Sequence, residues 1–244
     1  NCWLFEILSV LESVSFNEKE KIVDQVLKYI KSHSDIISIV INHTNESIPL
    51  IGDISPDESP AFTKNKILNY FRDLKSNSLN QWKIKQDWVF YKNNEWSVLS
   101  CIDCKPHDSF PDHGHDDWGS FCLSKNGKEI FVDLGRYSYN KDIISLDQVS
   151  KKYHTGVEII HSMNKVDVNF RNSRSASTEN NKLTLIEAKK SFFSSYQHIR
   201  NLYLNEKNFN VEDLINVKRP CQVILRYVFS ENWYRKNKDL IQFK

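Results

Sequence analysis

Apolar residues in this chain recur at helical spacing up to about residue 75 and at strand-like spacing from Asp87 onward. One chain with two periods in separate halves is excluded from all-α and all-β classes, and from the alternating βαβ pattern of a parallel sheet. In the first part, Asn17 stands as an N-cap with Glu20 at the third helical position, and Ile22, Val23, Val26, Leu27 and Ile30 follow on one face. That spacing predicts a helix over 17–32. Leu4, Ile7, Leu8 and Leu11 predict another over 3–14, and Ile67, Leu68, Phe71 and Leu74 a third over 62–75. Between them, Ile48-Pro49-Leu50-Ile51-Gly52-Asp53 and the SPDESP run that follows are boundary chemistry, because no helix interior carries that density of proline.

The second part reads as short antiparallel strands. DWVFYK and EWSVLSC flank Asn93-Asn94, while SFCLS and EIFVD flank a turn containing Asn126-Gly127. Asn-Gly favours the positive φ angles of a two-residue hairpin turn. Further strands are predicted at VEII (157), VDVNF (166), LTLIEAK (183) and CQVILRYVF (221), with the polar stretch 171–182 as a loop. Short strands without long helices between them predict an antiparallel β-sandwich, so the chain is expected to be α+β: helices over 1–80, sandwich over 81–244.

Charge excludes some partners. With 33 Lys and Arg against 31 Asp and Glu, the net charge of +2 gives no basis for nucleic-acid binding, and any anion-binding surface must be local. No apolar run reaches the roughly 20 residues of a membrane span. The opening NCWLFEILSVLESV has no basic n-region and starts inside an amphipathic pattern, so upstream residues are expected. The five cysteines are sparse and odd in number, which argues against a disulfide framework. Cys101 and Cys104, a lone CxxC, are expected to be buried strand and turn residues.

The densest reactive cluster is Phe110-Pro111-Asp112-His113-Gly114-His115-Asp116-Asp117-Trp118-Gly119-Ser120-Phe121, followed by the hairpin that ends in Val132-Asp133-Leu134-Gly135. Two histidines one residue apart share a face of an extended strand, so one can hold a metal while the other stays free. The hairpin returns Asp133 beside His115, and His154 is the nearest later histidine, with His161 as its competitor. His115, Asp133 and His154 form a chemically sensible zinc set, and Asp117 is placed to accept a hydrogen bond from a ligating imidazole. Histidines at solvated strand ends give the same pattern without a metal.

The run resembles the heparinase II/III-like proteins, whose sandwich domain carries HGHxDxxSF, a hairpin, a VDxG stretch and a YSY segment. Here these are His113-Gly114-His115, Asp117, Ser120-Phe121, Val132-Asp133, Gly135 and Tyr137-Ser138-Tyr139. Pro49–Asp53 is similar to the family's join between an (α/α) toroid and the sandwich, and His198-Ile199-Arg200 to a basic strand later in the sandwich. One departure concerns the third metal ligand, where the family often has His-Asn-Thr and this chain has His154-Thr155-Gly156.

The resemblance implies a polysaccharide lyase that cleaves uronic-acid-containing polysaccharides by β-elimination. It makes His113 the catalytic imidazole, gives His115 and Asp133 a structural zinc, and offers Tyr139 as proton donor, although a tyrosine there also serves packing. Arg136 and Arg200 are expected to meet a substrate carboxylate. The family's other catalytic groups lie on the toroid, so this chain is expected to be a C-terminal part with little activity alone. Degradative members are commonly periplasmic, which implies that compartment for a full-length chain with a signal peptide. Two other functions compete: a non-catalytic carbohydrate-binding or polysaccharide-biosynthesis protein, and a zinc-dependent hydrolase using His113, His115 and Asp133 as an open site.

Overall fold

The computed structural model describes residues 10–11, 13, 15, 18–51, 59–70, 80–85, 87–102, 115–136, 150–161, 171–190, 195–230, 233–237 and 240–243. Helices occupy Lys19–Ser32, Ser34–Ile41 and Pro60–Tyr70. The first agrees with the predicted helix at 17–32 within two residues; the last covers the start of the predicted helix at 62–75, whose residues 71–75 lie outside the described residues, as most of the 3–14 helix does. Ser34–Ile41 has no counterpart in the sequence reading. Its SDIISIVI run is only eight residues, β-branched and mostly apolar, a composition shared with buried strands; as a helix it sets Ile36 and Ile39 against the first sheet and Ile37 and Ile41 against the other helices.

Strands β1 (Lys83–Lys85), β2 (Trp88–Lys92), β3 (Trp96–Cys101), β4 (Cys122–Lys125) and β5 (Lys128–Phe131) form one antiparallel sheet in chain order. A second antiparallel sheet has the order β10 (Phe209–Val217), β9 (Tyr196–Leu204), β8 (Lys182–Lys190), β7 (Arg171–Glu179). Two ribbons complete the described strands: β6 (Gly156–His161) with β11 (Cys221–Arg226), and β12 (Trp233–Asn237) with β13 (Leu240–Phe243). The α+β class is therefore as expected, with mostly antiparallel, sandwich-like sheets. The turn between β4 and β5 is of type I′, with Asn126 and Gly127 at φ 52° and 72°.

One expectation is corrected: the polar stretch 171–182 is not a loop but largely strand β7, at the edge of the second sheet. Its RNSRSASTE sequence has almost no apolar residue because an edge strand needs few inward contacts. Ala176 supplies one, packing on the core. The predicted strand at 166 lies outside the described residues.

The sandwich core lies between the sheets: Val89, Tyr91, Val98, Phe121 and Leu123 from the first side meet Leu183, Leu185, Leu202 and Leu204 from the second. Each such side chain contributes about 1.5–3 kcal/mol of burial. The first sheet is covered on its other face as well. Phe90, Leu99, Cys101 and Cys122 pack against Ile36, Ile39 and Ile51, so all six residues of β3 are buried. Cys101 is buried as expected but is disulfide-bonded, while Cys122 is a free thiol.

Polar contacts reinforce the join between helices and sheet. Lys64 Nζ donates to the carbonyls of Thr44 (2.7 Å) and Asn45 (2.9 Å), and Lys92 Nζ to that of Asn42 (2.7 Å). His43 is fully buried and shares a hydrogen bond with Ser97 Oγ. Burial, aided by Lys92, pushes its pKa down to about 3, so the ring is neutral. Asn45 N donates to Gly127 O at 2.9 Å, and its carboxamide fills the space a Cβ on Gly127 would need.

Candidate metal centre

Three stretches far apart in sequence converge on one buried cluster. His115 and Asp117 lie on the segment leading into β4. The chain then turns at Trp118-Gly119, where Ser120 N donates to Asp117 O at 2.8 Å and Gly119 takes φ 77°, as the third residue of a type II turn requires. The β4–β5 hairpin returns the chain to Asp133. A short 3₁₀ turn, Lys151–Tyr153, delivers His154.

His115, Asp117 and His154 each offer one ligand atom, and these atoms lie within 4.8 Å of one another. All three residues are buried. Asp133 sits behind them. Its Oδ2 accepts hydrogen bonds from His154 Nδ1 (2.8 Å) and Ser120 Oγ (2.9 Å), and its Oδ1 accepts one from Gly135 N (3.0 Å). A proton on Nδ1 leaves Nε2 as the lone-pair nitrogen of His154, the carboxylate–histidine arrangement that orients a metal-ligating ring.

Electrostatics within the cluster are severe. Burial, followed by repulsion from Asp133, pushes the Asp117 carboxyl up to about 7, although His154 opposes this. Burial works to lower the His154 pKa, but its hydrogen bond to Asp133 and the charges of Asp133, Asp117 and Asp116 outweigh it and raise it. Two carboxylates beside imidazoles in a dry site are an arrangement that a cation relieves. Asp117 Oδ2 and His154 Nε2, both buried, have no hydrogen-bond partner among the described residues. Two imidazole nitrogens and a carboxylate oxygen are also the donor set that zinc takes. The residues present thus fit such an ion.

Of the residues singled out from the sequence, the structure brings together His115, His154 and Asp133. Asp117, expected behind a ring, stands in the ligand cluster, and Asp133 takes the position behind His154. His113 and Tyr139 lie outside the described residues, as does the side chain of His161. Arg136 is buried next to Gly135. Arg200, expected to meet a substrate carboxylate, is fully buried, and Asp213, Gly119 and Thr155 accept its hydrogen bonds.

A second group has no forerunner in the sequence reading. Glu187, buried in β8, accepts hydrogen bonds from Lys151 Nζ (2.9 Å), Arg174 Nε (2.9 Å) and Tyr196 Oη (3.2 Å). Burial would raise its pKa, but Lys151 and Arg174 hold it low. The Arg174 guanidinium lies 5.3 Å from the Trp118 ring centroid. This network ties the 3₁₀ turn before His154 and the turn after Asp117 to the second sheet. The signal for it is the cross-strand pairing Arg174↔Glu187, visible only once β7 is recognised as a strand.

Comparison with known proteins agrees with this architecture. Residues 85–239, well over half of the chain, match the family model described as heparinase II/III-like, C-terminal. The chain belongs to that family. Similar solved structures include the heparan sulfate lyase HepC from Pedobacter heparinus, with a TM-score of 0.59 and 16% identity over 94% of this chain. A heparinase III, the BT4657 gene product, has a TM-score of 0.54 and 18% identity over 96% of this chain. The chain spans 40% of the first structure and 38% of the second. No curated protein matches it in sequence.

Proposed function

We propose that this chain is the C-terminal part of a polysaccharide lyase that cleaves uronic-acid-containing polysaccharide by β-elimination. The observation carrying the reading is the buried His115–Asp117–His154 cluster, with Asp133 behind it, in a chain of the heparinase II/III-like family and immediately after His113. In this reading the first 80 residues are the last helices of an (α/α) toroid, and the rest is the sandwich domain.

His115, His154 and one or both of Asp117 and Asp133 would hold zinc. When bound, the ion would supply charge neutralisation among these buried carboxylates and imidazoles. Elimination needs a base at C5 of the uronate, neutralisation of its carboxylate, and a proton for the departing C4 oxygen. Abstraction of the C5 proton places charge on the carboxylate, so donors to that group lower the barrier. The C4–O bond then breaks, and a C4–C5 double bond forms. His113 is assigned as the base that takes the C5 proton, Tyr139 as proton donor to the C4 oxygen, and Arg136 as partner of the substrate carboxylate. The remaining groups would come from the helical region upstream.

The test uses uronate polymers and the ultraviolet absorbance of the unsaturated product. The chain joined to the upstream region of its full-length protein is expected to turn over, the isolated chain to show little activity, and His113→Ala in the longer protein to lose turnover while retaining binding. A saturated product end would instead identify a hydrolase. Binding without any product from the longer wild-type protein would identify a carbohydrate-binding protein.

A further inference from the structure

Arg200 is a fully buried guanidinium whose donors divide between two tasks. Its Nε and Nη2 donate to the two carboxylate oxygens of Asp213 at 2.8 and 3.0 Å, across the register pair Arg200↔Asp213 of β9 and β10. His198 Nε2 also donates to Asp213 Oδ1 at 2.7 Å, so the acceptor is itself fixed. That pairing alone would satisfy the charge. The other terminal nitrogen, Nη1, donates to Gly119 O at 2.8 Å and to Thr155 O at 3.1 Å.

These two carbonyls belong to the two segments that carry the metal-ligand candidates. Gly119 follows Asp117 by two residues in the turn, and Thr155 follows His154 directly. A single nitrogen of a planar, rigid group therefore sets how far apart the two segments stand. Thr155 is pinned from its other side, where its Oγ1 accepts a hydrogen bond from Val228 N at 3.0 Å. Metal ligands must be held to a few tenths of an ångström, which loops achieve when a rigid sheet supports them.

We propose that Arg200 is a positioning residue for the metal centre: its guanidinium, anchored by Asp213, holds the His115–Asp117 segment and the His154 segment at ligand distance. The proposal rests on the metal reading of the cluster. It gives Arg200 a role that needs no contact with substrate.

Co²⁺ is the probe, titrated into the chain and followed by its visible d–d absorption. Arg200→Lys keeps a positive charge for Asp213 but loses the fork, and is expected to weaken Co²⁺ binding by about 10- to 100-fold and to alter the band shape. Gly127→Ala, in the turn at the far end of the β4–β5 hairpin, is the control: it is expected to melt earlier while keeping Co²⁺ affinity well above that of Arg200→Lys. If Arg200→Lys binds Co²⁺ like the wild type, or if Gly127→Ala loses as much affinity as Arg200→Lys, the positioning role is overturned. Should Arg200→Lys fail to fold, the uncharged pair Arg200→Gln with Asp213→Asn is titrated instead, and wild-type affinity there also overturns it. A wild-type chain that takes up no Co²⁺ refutes the metal reading itself, a result distinct from the others.

Discussion

Replacing Gly127 by alanine perturbs the join between helices and sandwich at one atom. Gly127 holds φ 72° in the turn between β4 and β5. A Cβ there would overlap the Asn45 carboxamide, which is tied back to the same turn through Asn126 O. Two penalties should therefore add. The left-handed backbone costs about 1–2 kcal/mol for a residue with a Cβ, and swinging the exposed Asn45 carboxamide aside breaks its hydrogen bond to Asn126 O, which costs about 0.5–1.5 kcal/mol. Gly127→Ala is expected to destabilise by about 1.5–3.5 kcal/mol, measured by urea unfolding with tryptophan fluorescence. Asn45→Gly removes the obstruction, so Gly127→Ala made in that background should cost only the backbone part, about 1–2 kcal/mol. The cycle thus predicts a coupling of about 0.5–1.5 kcal/mol. Strict additivity of the two substitutions would show that the carboxamide does not press on the turn.

Zinc added in excess should raise the melting temperature, and a chelator should reverse the gain; at 100 times the dissociation constant the stabilisation is about 2.7 kcal/mol. Identical melting with and without zinc would count against the metal reading. The Asp213 carboxyl should make stability depend on acid pH. Burial would raise its pKa, but His198 and Arg200 outweigh this and hold it at about 2, with Tyr227 Oη the other group facing it. A depressed folded-state pKa contributes stability that is present above the unfolded value near 3.8 and is lost as pH falls toward 2. Asp213→Asn should therefore be about 2 kcal/mol less stable at neutral pH and show a flatter acid limb. Parallel acid-unfolding curves for wild type and variant would refute it.

Much of the second half of this fold could be read directly. Asn126-Gly127 and the short apolar runs of β2 to β4 carry local signals, because hairpins are built from neighbours in sequence. The return of Asp133 toward the cluster that holds His115 follows from one such hairpin, although its contact there is with His154. Other features depend on partners that are distant along the chain. Strand β7 is polar because it lies at an edge, and nothing local separates it from a loop. The Ser34–Ile41 helix is short and mostly apolar, so its composition alone does not separate it from a buried strand. Arg200 resembles a solvent-facing arginine until β9 and β10 are paired, which sets Asp213 opposite it. Which of Asp117 and Asp133 faces the ligand cluster depends on the backbone turn at Gly119, a question of side-chain direction that spacing does not decide.

Strand β3 has no solvent side. Its alternate residues belong to different interiors, with Val98 sealed by the opposing sheet and Leu99 sealed by the helices. Cutting the polypeptide between the helical and the strand-rich parts would therefore not release a portable module. It would strip Phe90, Leu99 and Cys122 of their cover and leave a sticky plane prone to self-association. Any shortened version meant for crystallisation or engineering must keep Ser34–Ile41 and Ile51 attached, or replace that apolar plane with polar residues.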